Sequence, residues 1–260
     1  MGQIAGLHFA GIIPARFASS RFPGKPLAMI GNRTMIQRVW EQARKSLDKV
    51  FVATDDERIS DAVLSFGGEV IMTSPNHRTG TERCAEAIEK IIAEGNNIDV
   101  IVNVQGDEPF IRPEQIDLLI SSFSDDSVEI ATLVRKTRYD EDIFNPNQPK
   151  VILDLKSNAI YFSRSVIPFI RDINQADWAK EYTFLKHLGL YAYRTTTLRK
   201  ITQHPMSPLE KAESLEQNRW LENGYKIRAS VTEWESMGID TPADLETAKL
   251  MLNKSNEKIY

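Results

Sequence analysis

Residues 12–27 read Ile-Ile-Pro-Ala-Arg-Phe-Ala-Ser-Ser-Arg-Phe-Pro-Gly-Lys-Pro-Leu and set Arg16, Arg21 and Lys25 within one loop. Ser19, Ser20 and Gly24 stand between them, small residues that let a backbone come close to a ligand. Arg offers a planar fork to phosphate oxygens and Lys a mobile point charge, so the loop suits a polyphosphate. A solvated basic turn is the plain alternative. No Gly-x-x-x-x-Gly-Lys-Ser/Thr occurs, so a nucleotide held here is not held by a P-loop. Asp55-Asp56 and Gln105-Gly106-Asp107-Glu108-Pro109 follow two further apolar runs. An acid after a strand is usually a helix cap, but Asp107 beside a cationic phosphate loop suits Mg²⁺, which binds carboxylate and phosphate oxygens together. Asp240, in Gly-Ile-Asp-Thr-Pro, is either the second metal ligand or the cap of a helix starting near Pro242.

Other chemistries are excluded by spacing. His8, His77, His187 and His204 show no zinc pattern, and there is no His-Glu-x-x-His, Cys-x-x-Cys or Gly-x-Ser-x-Gly. No Gly-x-Gly-x-x-Gly follows the first strand, which argues against a dinucleotide. Phosphoryl chemistry run by cations and Mg²⁺, without a covalent nucleophile, is what is left. The 260 residues are 42% hydrophobic and 26% charged, an ordinary globular composition. A net charge of −4 gives no electrostatic reason to expect nucleic acid. The single cysteine, Cys84, excludes an intrachain disulfide and fits a reducing cytoplasm. No run reaches the roughly 20 apolar residues of a membrane helix.

The elements that must carry these residues alternate in the first half. Strands are expected at 8–13, ending at Pro14 because proline cannot donate to a central ladder, and at 50–53, 69–72 and 99–104. Helical spacing is found at 34–46, 57–66 and 81–94. Repeated β-α units with short apolar strands imply a doubly wound parallel sheet, with ligands beyond its carboxyl edge. The second half changes character. Residues 128–135 and 150–156 alternate like exposed or mixed strands, 171–182 suggest a mobile polar excursion, and 188–193 and 226–233 are strand-like. Residues 208–223 fit one amphipathic helix. We expect a single domain over 1–260 with an inserted lobe at about 128–225.

The loop signature closely resembles that of the 3-deoxy-manno-octulosonate cytidylyltransferase family, the CMP-Kdo synthetases. The likeness continues through Val-Ala-Thr-Asp (52–55), Gly-Gly-Glu-Val (67–70), His-Arg-Thr-Gly-Thr-Glu-Arg (77–83) and Val-Asn-Val-Gln-Gly-Asp-Glu-Pro (102–109). It runs on in Phe-Asn-Pro-Asn (144–147), Tyr-Phe-Ser-Arg (161–164), His-Leu-Gly-Leu-Tyr (187–191), Ser-Pro-Leu-Glu (207–210), Leu-Glu-Gln (215–217) and Gly-Ile-Asp-Thr-Pro-x-Asp-Leu (238–245). The resemblance implies a Rossmann-like nucleotidyltransferase sheet whose inserted lobe serves sugar binding and dimerisation. It implies transfer of CMP from CTP to 3-deoxy-D-manno-octulosonate (Kdo), releasing pyrophosphate, in a cytoplasmic homodimer that supplies lipopolysaccharide assembly. By the same resemblance Arg16 and Lys25 grip the CTP phosphates, and Asp107 and Asp240 bind Mg²⁺; Arg16, Lys25 and Asp107 form the catalytic set. Thr79, Gly80 and Arg83 line the cytidine pocket with Asp55 nearby. Gln105, Arg164, His187, Tyr191, Glu216 and Gln217 take the acidic sugar. A sialic acid or 8-amino-Kdo cytidylyltransferase, or a silent nucleotide-binding protein, are the rival readings.

Overall fold

A computed structural model describes residue 4 and residues 6–18, 21–235 and 237–257; Ser19 and Ser20 of the basic loop lie outside the described residues. The chain divides into two compact units, residues 1–117 with 236–260, and residues 118–235. The second unit begins and ends about ten residues outside the expected 128–225 lobe. Among the described residues no helix is long and apolar enough to cross a membrane.

The first unit opens with β1 (Phe9–Ala15), the short hairpin β2 (Met29–Ile30) and β3 (Arg33–Thr34), and α1 (Met35–Ala43). There follow β4 (Val50–Thr54), α2 (Glu57–Ser65), β5 (Glu69–Met72), α3 (Gly80–Ala93), β6 (Val100–Asn103) and α4 (Pro113–Ser121). Strands β6, β1, β4 and β5 lie side by side in that order, all parallel. Their residues Ile12, Ile13, Val52, Ile101 and Val102 are wholly buried, as strands covered on both faces must be. Helices α1, α2 and α3 each bury one stripe: Ile36 and Val39, Ile59 and Val63, Ala87, Ile88 and Ile91. From β1 the chain winds outward through β4 and β5, then returns to β6 on the other side of β1. The strand order therefore reverses between β1 and β6, and such a switch opens a crevice at the carboxyl ends.

Contrary to the expected stop, β1 runs through Pro14, which pairs with Ala53. Gly11 donates to Lys49 on the β4 side, so by the two-residue period the Pro14 nitrogen points toward β6. Pairing with β6 ends at Ile12–Asn103, and no ladder bond is lost.

The second unit holds β7 (Ile130–Lys136), β8 (Lys150–Leu153), β9 (Ala159–Ser163), α5 (Trp178–Glu181), β10 (Leu185–Arg194), α6 (Thr195–Ile201), α7 (Pro208–Glu213), α8 (Glu216–Glu222) and β11 (Ile227–Thr232). β7 lies between β11, to which it is parallel, and β10, to which it is antiparallel; β8 joins β10 to β9. Three expectations change here. β7 is buried along its length except at Lys136, because both faces are covered. β8 stops at Leu153, where the Asp154 carboxylate takes the amides of Lys156 and Asn158, both at 2.8 Å, and turns the chain. The 171–182 excursion is folded around buried Trp178, which packs with Ile143 and Phe184 and whose indole donates to Ile173 O at 3.0 Å. The last helix, α9 (Pro242–Glu257), returns to the first unit, where Ile239, Leu245 and Ala248 pack with Ile30 and Met35.

Candidate active site

At the β1/β6 switch lies a cavity of about 240 Å³ lined by Arg16, Arg21, Lys25, His77, Arg78, Thr79, Gly80, Arg83, Gln105, Asp107 and Asp240, with Pro14 and Gly106 in its wall. The basic loop reaches it because Gly24 adopts φ 72°, a left-handed turn that glycine takes without Cβ strain, and donates its amide to Phe17 O at 2.9 Å. That turn delivers Lys25. Its ammonium lies 2.7 Å from Asp107 Oδ2 and 3.3 Å from Asp240 Oδ1, and Arg21 reaches the same Asp240 oxygen at 3.3 Å. The two acids arrive from distant parts of the chain. The Ile239 amide donates to Asp107 O at 2.9 Å and locks their backbones side by side. A Cβ at Gly106 would sit 2.9 Å from Pro14 O, so only glycine lets the Gln105–Asp107 turn lie against β1.

The capping alternative for Asp240 is taken by its neighbours. Thr241 Oγ1 accepts the Asp244 amide at 3.2 Å, and Asp244 Oδ2 accepts the amides of Asp240 and Thr241. This reciprocal cap leaves the Asp240 carboxylate to face Lys25. Asp55-Asp56 divide in the same way. Asp56 caps α2 through the Arg58 amide at 3.0 Å, while Asp55 Oδ1 lies 3.2 Å from Arg83 Nη1 at an ion-pair distance lacking hydrogen-bond geometry. Buried Arg83 also donates to Thr73 Oγ1 at 2.6 Å, so it is a held group and not a solvated one. Thr79 Oγ1 accepts the Glu82 amide at 3.1 Å, which makes Thr79 the cap of α3 and turns that helix's amino end toward the cavity. Arg16 is exposed and pairs with no carboxylate among the described residues.

Two groups that the sequence reading left without a role are in the wall. Arg78 is held by Glu82 at 2.8 Å, and His77 by Glu86. Burial pushes the Glu86 carboxyl up, but hydrogen bonds from Lys90, the Ser74 amide and His77 outweigh it and leave its pKa at about 2. Glu86 therefore clamps the 74–77 loop as a fixed anion. The signal for this was a Glu nine residues after the histidine, on the same helix as Arg83, which no short motif encodes.

Of the residues expected at the sugar, Gln105 belongs to this cavity and the others lie in the second unit. There β10 carries a bulge: Leu188 faces Leu133 while Tyr191 faces Thr132. Such a bulge re-aims side chains, and it sets the His187 and Tyr191 rings 5.2 Å apart. Burial lowers the His187 pKa to about 3 and drives the Tyr191 phenol well above its ordinary value, with the Glu216 charge adding to the latter. Thr132 Oγ1, beside both rings, is engaged by His187 Nε2 at 3.0 Å and Leu190 O at 2.8 Å. Among the described residues, Tyr191 Oη and Gln217 Nε2 are buried without a well-aligned hydrogen-bond partner. Glu216 accepts from Arg219 Nη2 at 2.6 Å. Arg164 is not brought against the His187–Tyr191 pair by its bonds. Its guanidinium donates to the carbonyls of Glu213, Pro146 and Ser214 at 2.6, 2.9 and 3.3 Å. Three of its five N–H donors are thereby used.

No three or more His, Cys, Asp or Glu side chains converge as a metal cage among the described residues. Asp107 and Asp240 instead share one ammonium. Two carboxylates on one point, beside a cationic loop, fit a hard divalent ion whose coordination phosphate oxygens and water would complete.

Comparison with known proteins follows the same lines. Residues 10–227 match the family model described as Cytidylyltransferase. A 3-deoxy-manno-octulosonate cytidylyltransferase of Parabacteroides distasonis is 58% identical over 250 residues, 95% of this chain and 98% of that protein. One from Bacteroides thetaiotaomicron is 55% identical over 249 residues, again 95% and 98%. Among solved structures, CMP:2-keto-3-deoxy-manno-octonic acid synthetase complexed with CTP superposes with a TM-score of 0.86 at 39% identity, over 95% of this chain and 99% of that one.

Proposed function

The chain belongs to the 3-deoxy-manno-octulosonate cytidylyltransferase family, and from that premise we propose how its residues carry out the transfer of CMP from CTP to Kdo with release of pyrophosphate. The observation that carries the reading is the meeting of Arg16, Arg21 and Lys25 with Asp107 and Asp240 in one cavity at the β1/β6 switch. Arg16, which meets no carboxylate among the described residues, binds the triphosphate. Lys25 follows the phosphate charge that shifts as pyrophosphate departs, which makes its contact strongest in the transition state. Arg83, fixed by Asp55 and Thr73, bounds the cytidine end together with Thr79 and Gly80.

Enzymes of this family generally use a divalent metal. We assign magnesium, with Asp107 and Asp240 as the residues that would hold it; when bound, such an ion offsets charge on the phosphates. The 2-hydroxyl of Kdo attacks the α-phosphorus in line with the leaving pyrophosphate, and positioning supplies most of the rest. Gln105, Arg164, His187, Tyr191, Glu216 and Gln217 take the sugar. Tyr191 Oη and Gln217 Nε2, buried without a well-aligned hydrogen-bond partner among the described residues, support this, since a polyhydroxylated ligand satisfies both. Neutral His187, whose Nε2 is engaged with Thr132 Oγ1, offers its Nδ1 to a hydroxyl, and the two remaining N–H groups of Arg164 are available to the sugar carboxylate.

We read the chain as one nucleotidyltransferase domain with residues 118–235 inserted, working in the cytoplasm as a homodimer that supplies lipopolysaccharide assembly. Exposed Phe144, Ile160 and Phe169 of the second unit support pairing through that part. The test of the whole reading is pyrophosphate release with CTP, Mg²⁺ and a sugar panel. Kdo is expected to be turned over well ahead of 8-amino-Kdo and sialic acid; equal or greater turnover of another sugar changes the substrate assignment. CTP binding with no release for any sugar points to a silent nucleotide-binding protein.

A further inference from the structure

The segment 208–223 has the pattern of one helix, yet it breaks at Ser214, which adopts φ 50°, ψ 45° between α7 and α8. Ser214 is exposed, so its side chain is no reason for a left-handed backbone that costs a non-glycine residue free energy. The reason lies in the residue before it. Glu213 Oε1 accepts from Ser163 Oγ at 2.6 Å and Tyr161 Oη at 2.9 Å, and Oε2 accepts the Arg164 amide at 2.9 Å. In return, Arg164 Nε donates to Glu213 O at 2.6 Å and Nη2 to Ser214 O at 3.3 Å. Burial raises the Glu213 carboxyl, but these hydrogen bonds and the Arg164 charge outweigh it and hold the group below its ordinary value, as an anion. The end of β9 thus grips the last residue of α7 through its side chain and its carbonyl together. Behind it, buried Lys150 donates to Arg164 O at 2.9 Å and fixes the gripping residue in turn.

The consequence falls on the first two residues of α8. A continuous helix would carry them round on the axis of α7, whose one buried residue is Glu210. The corner starts a new axis, and Gln217, Asn218, Arg219 and Trp220 turn inward, with Trp220 edge-on to Tyr191 at 5.2 Å. We propose that Glu213 and the left-handed corner at Ser214 are positioning elements that set Glu216 and Gln217 for the acidic sugar, with no contact of their own to it. The inference rests on the assignment of Glu216 and Gln217 to the sugar.

The experiment is steady-state pyrophosphate release by the full chain carrying Ser214→Gly, Ser214→Val, Glu213→Gln or Glu216→Gln, with KM measured separately for Kdo and CTP and a melting curve for each variant. Glycine takes the left-handed corner freely and a β-branched residue resists it. Ser214→Gly is expected to keep the KM for Kdo, and Ser214→Val to raise it roughly tenfold, with the KM for CTP within about twofold of the unaltered chain. Glu213→Gln, which removes the negative charge that holds Arg164 and weakens the charge-assisted bonds at the corner, is expected to raise the KM for Kdo in the same selective way even if Ser214→Val does not fold. An unchanged KM for Kdo in Ser214→Val or Glu213→Gln overturns the proposal. So does a melting point that falls while both KM values move together, which marks a merely structural corner. If Glu216→Gln itself leaves the KM for Kdo untouched, the sugar assignment fails first and the inference fails with it.

Discussion

Lys25 is a residue with two uses. Before the nucleotide arrives, its ammonium neutralises Asp107 and Asp240 at 2.7 and 3.3 Å; on the proposed reading it then serves the phosphates. Lys25→Ala is expected to lower kcat by about 10²-fold or more with a smaller rise in KM for CTP. Unchanged turnover with only a raised KM marks its contact as uniform binding. Asp107→Asn and Asp240→Asn are each expected to remove most activity and to leave the melting point within a few degrees, because neither carboxylate supports a helix end or a core bond. Wild-type turnover by Asp240→Asn at limiting Mg²⁺ removes Asp240 from the metal site.

At the scale of elements, a cap and a ligand compete wherever an acid follows a strand, and here adjacent residues share the work. Asp244 and Thr241 cap α9 beside Asp240, and Asp56 caps α2 beside Asp55. Asp244→Ala is therefore expected to cost about 1 kcal/mol of unfolding free energy in a denaturant titration, comparable to other lost caps. No measurable loss there assigns the cap elsewhere. This division was not legible beforehand: the sequence shows Gly-Ile-Asp-Thr-Pro, but which oxygen meets which amide depends on the turn. The parallel strands of the first unit and the basic loop could be read, since short apolar runs between amphipathic helices have few other solutions. Pro14 misled, because its missing donor matters only on the side where a partner strand exists. The 208–223 segment misled for a different reason. Its apolar spacing is helical throughout, and the break comes from Glu213 and Arg164, residues far apart in the chain. The folding of 171–182 around Trp178 was likewise hidden by the polar residues on either side.

For the molecule as a whole, burial of His187 links stability to acidity. Its pKa falls from 6.5 to about 3 on folding, so the unfolded chain binds the proton more tightly. Stability from this group is complete above about pH 6.5 and declines as the pH drops toward 3. At pH 5 the loss is about 1–2 kcal/mol, allowing for a side chain that is only half-buried. The unaltered chain is expected to lose that much more unfolding free energy than His187→Gln between pH 7.5 and 5; equal losses in the two place the acid sensitivity elsewhere. The cavity at the β1/β6 switch has a consequence of another kind, one of encounter. A chain of net charge −4 presents Arg16, Arg21, Arg78 and Lys25 around one mouth. A triphosphate approaching from solution is drawn toward that opening by its cations, so its search is directed before any contact forms. The association rate of CTP, followed by stopped flow, is therefore expected to fall steeply between low and physiological salt while dissociation changes little, and Arg16→Gln to flatten that slope. On this view the loop acts on the nucleotide across some ten ångströms of water, about the Debye length at 0.1 M salt, long before it grips it.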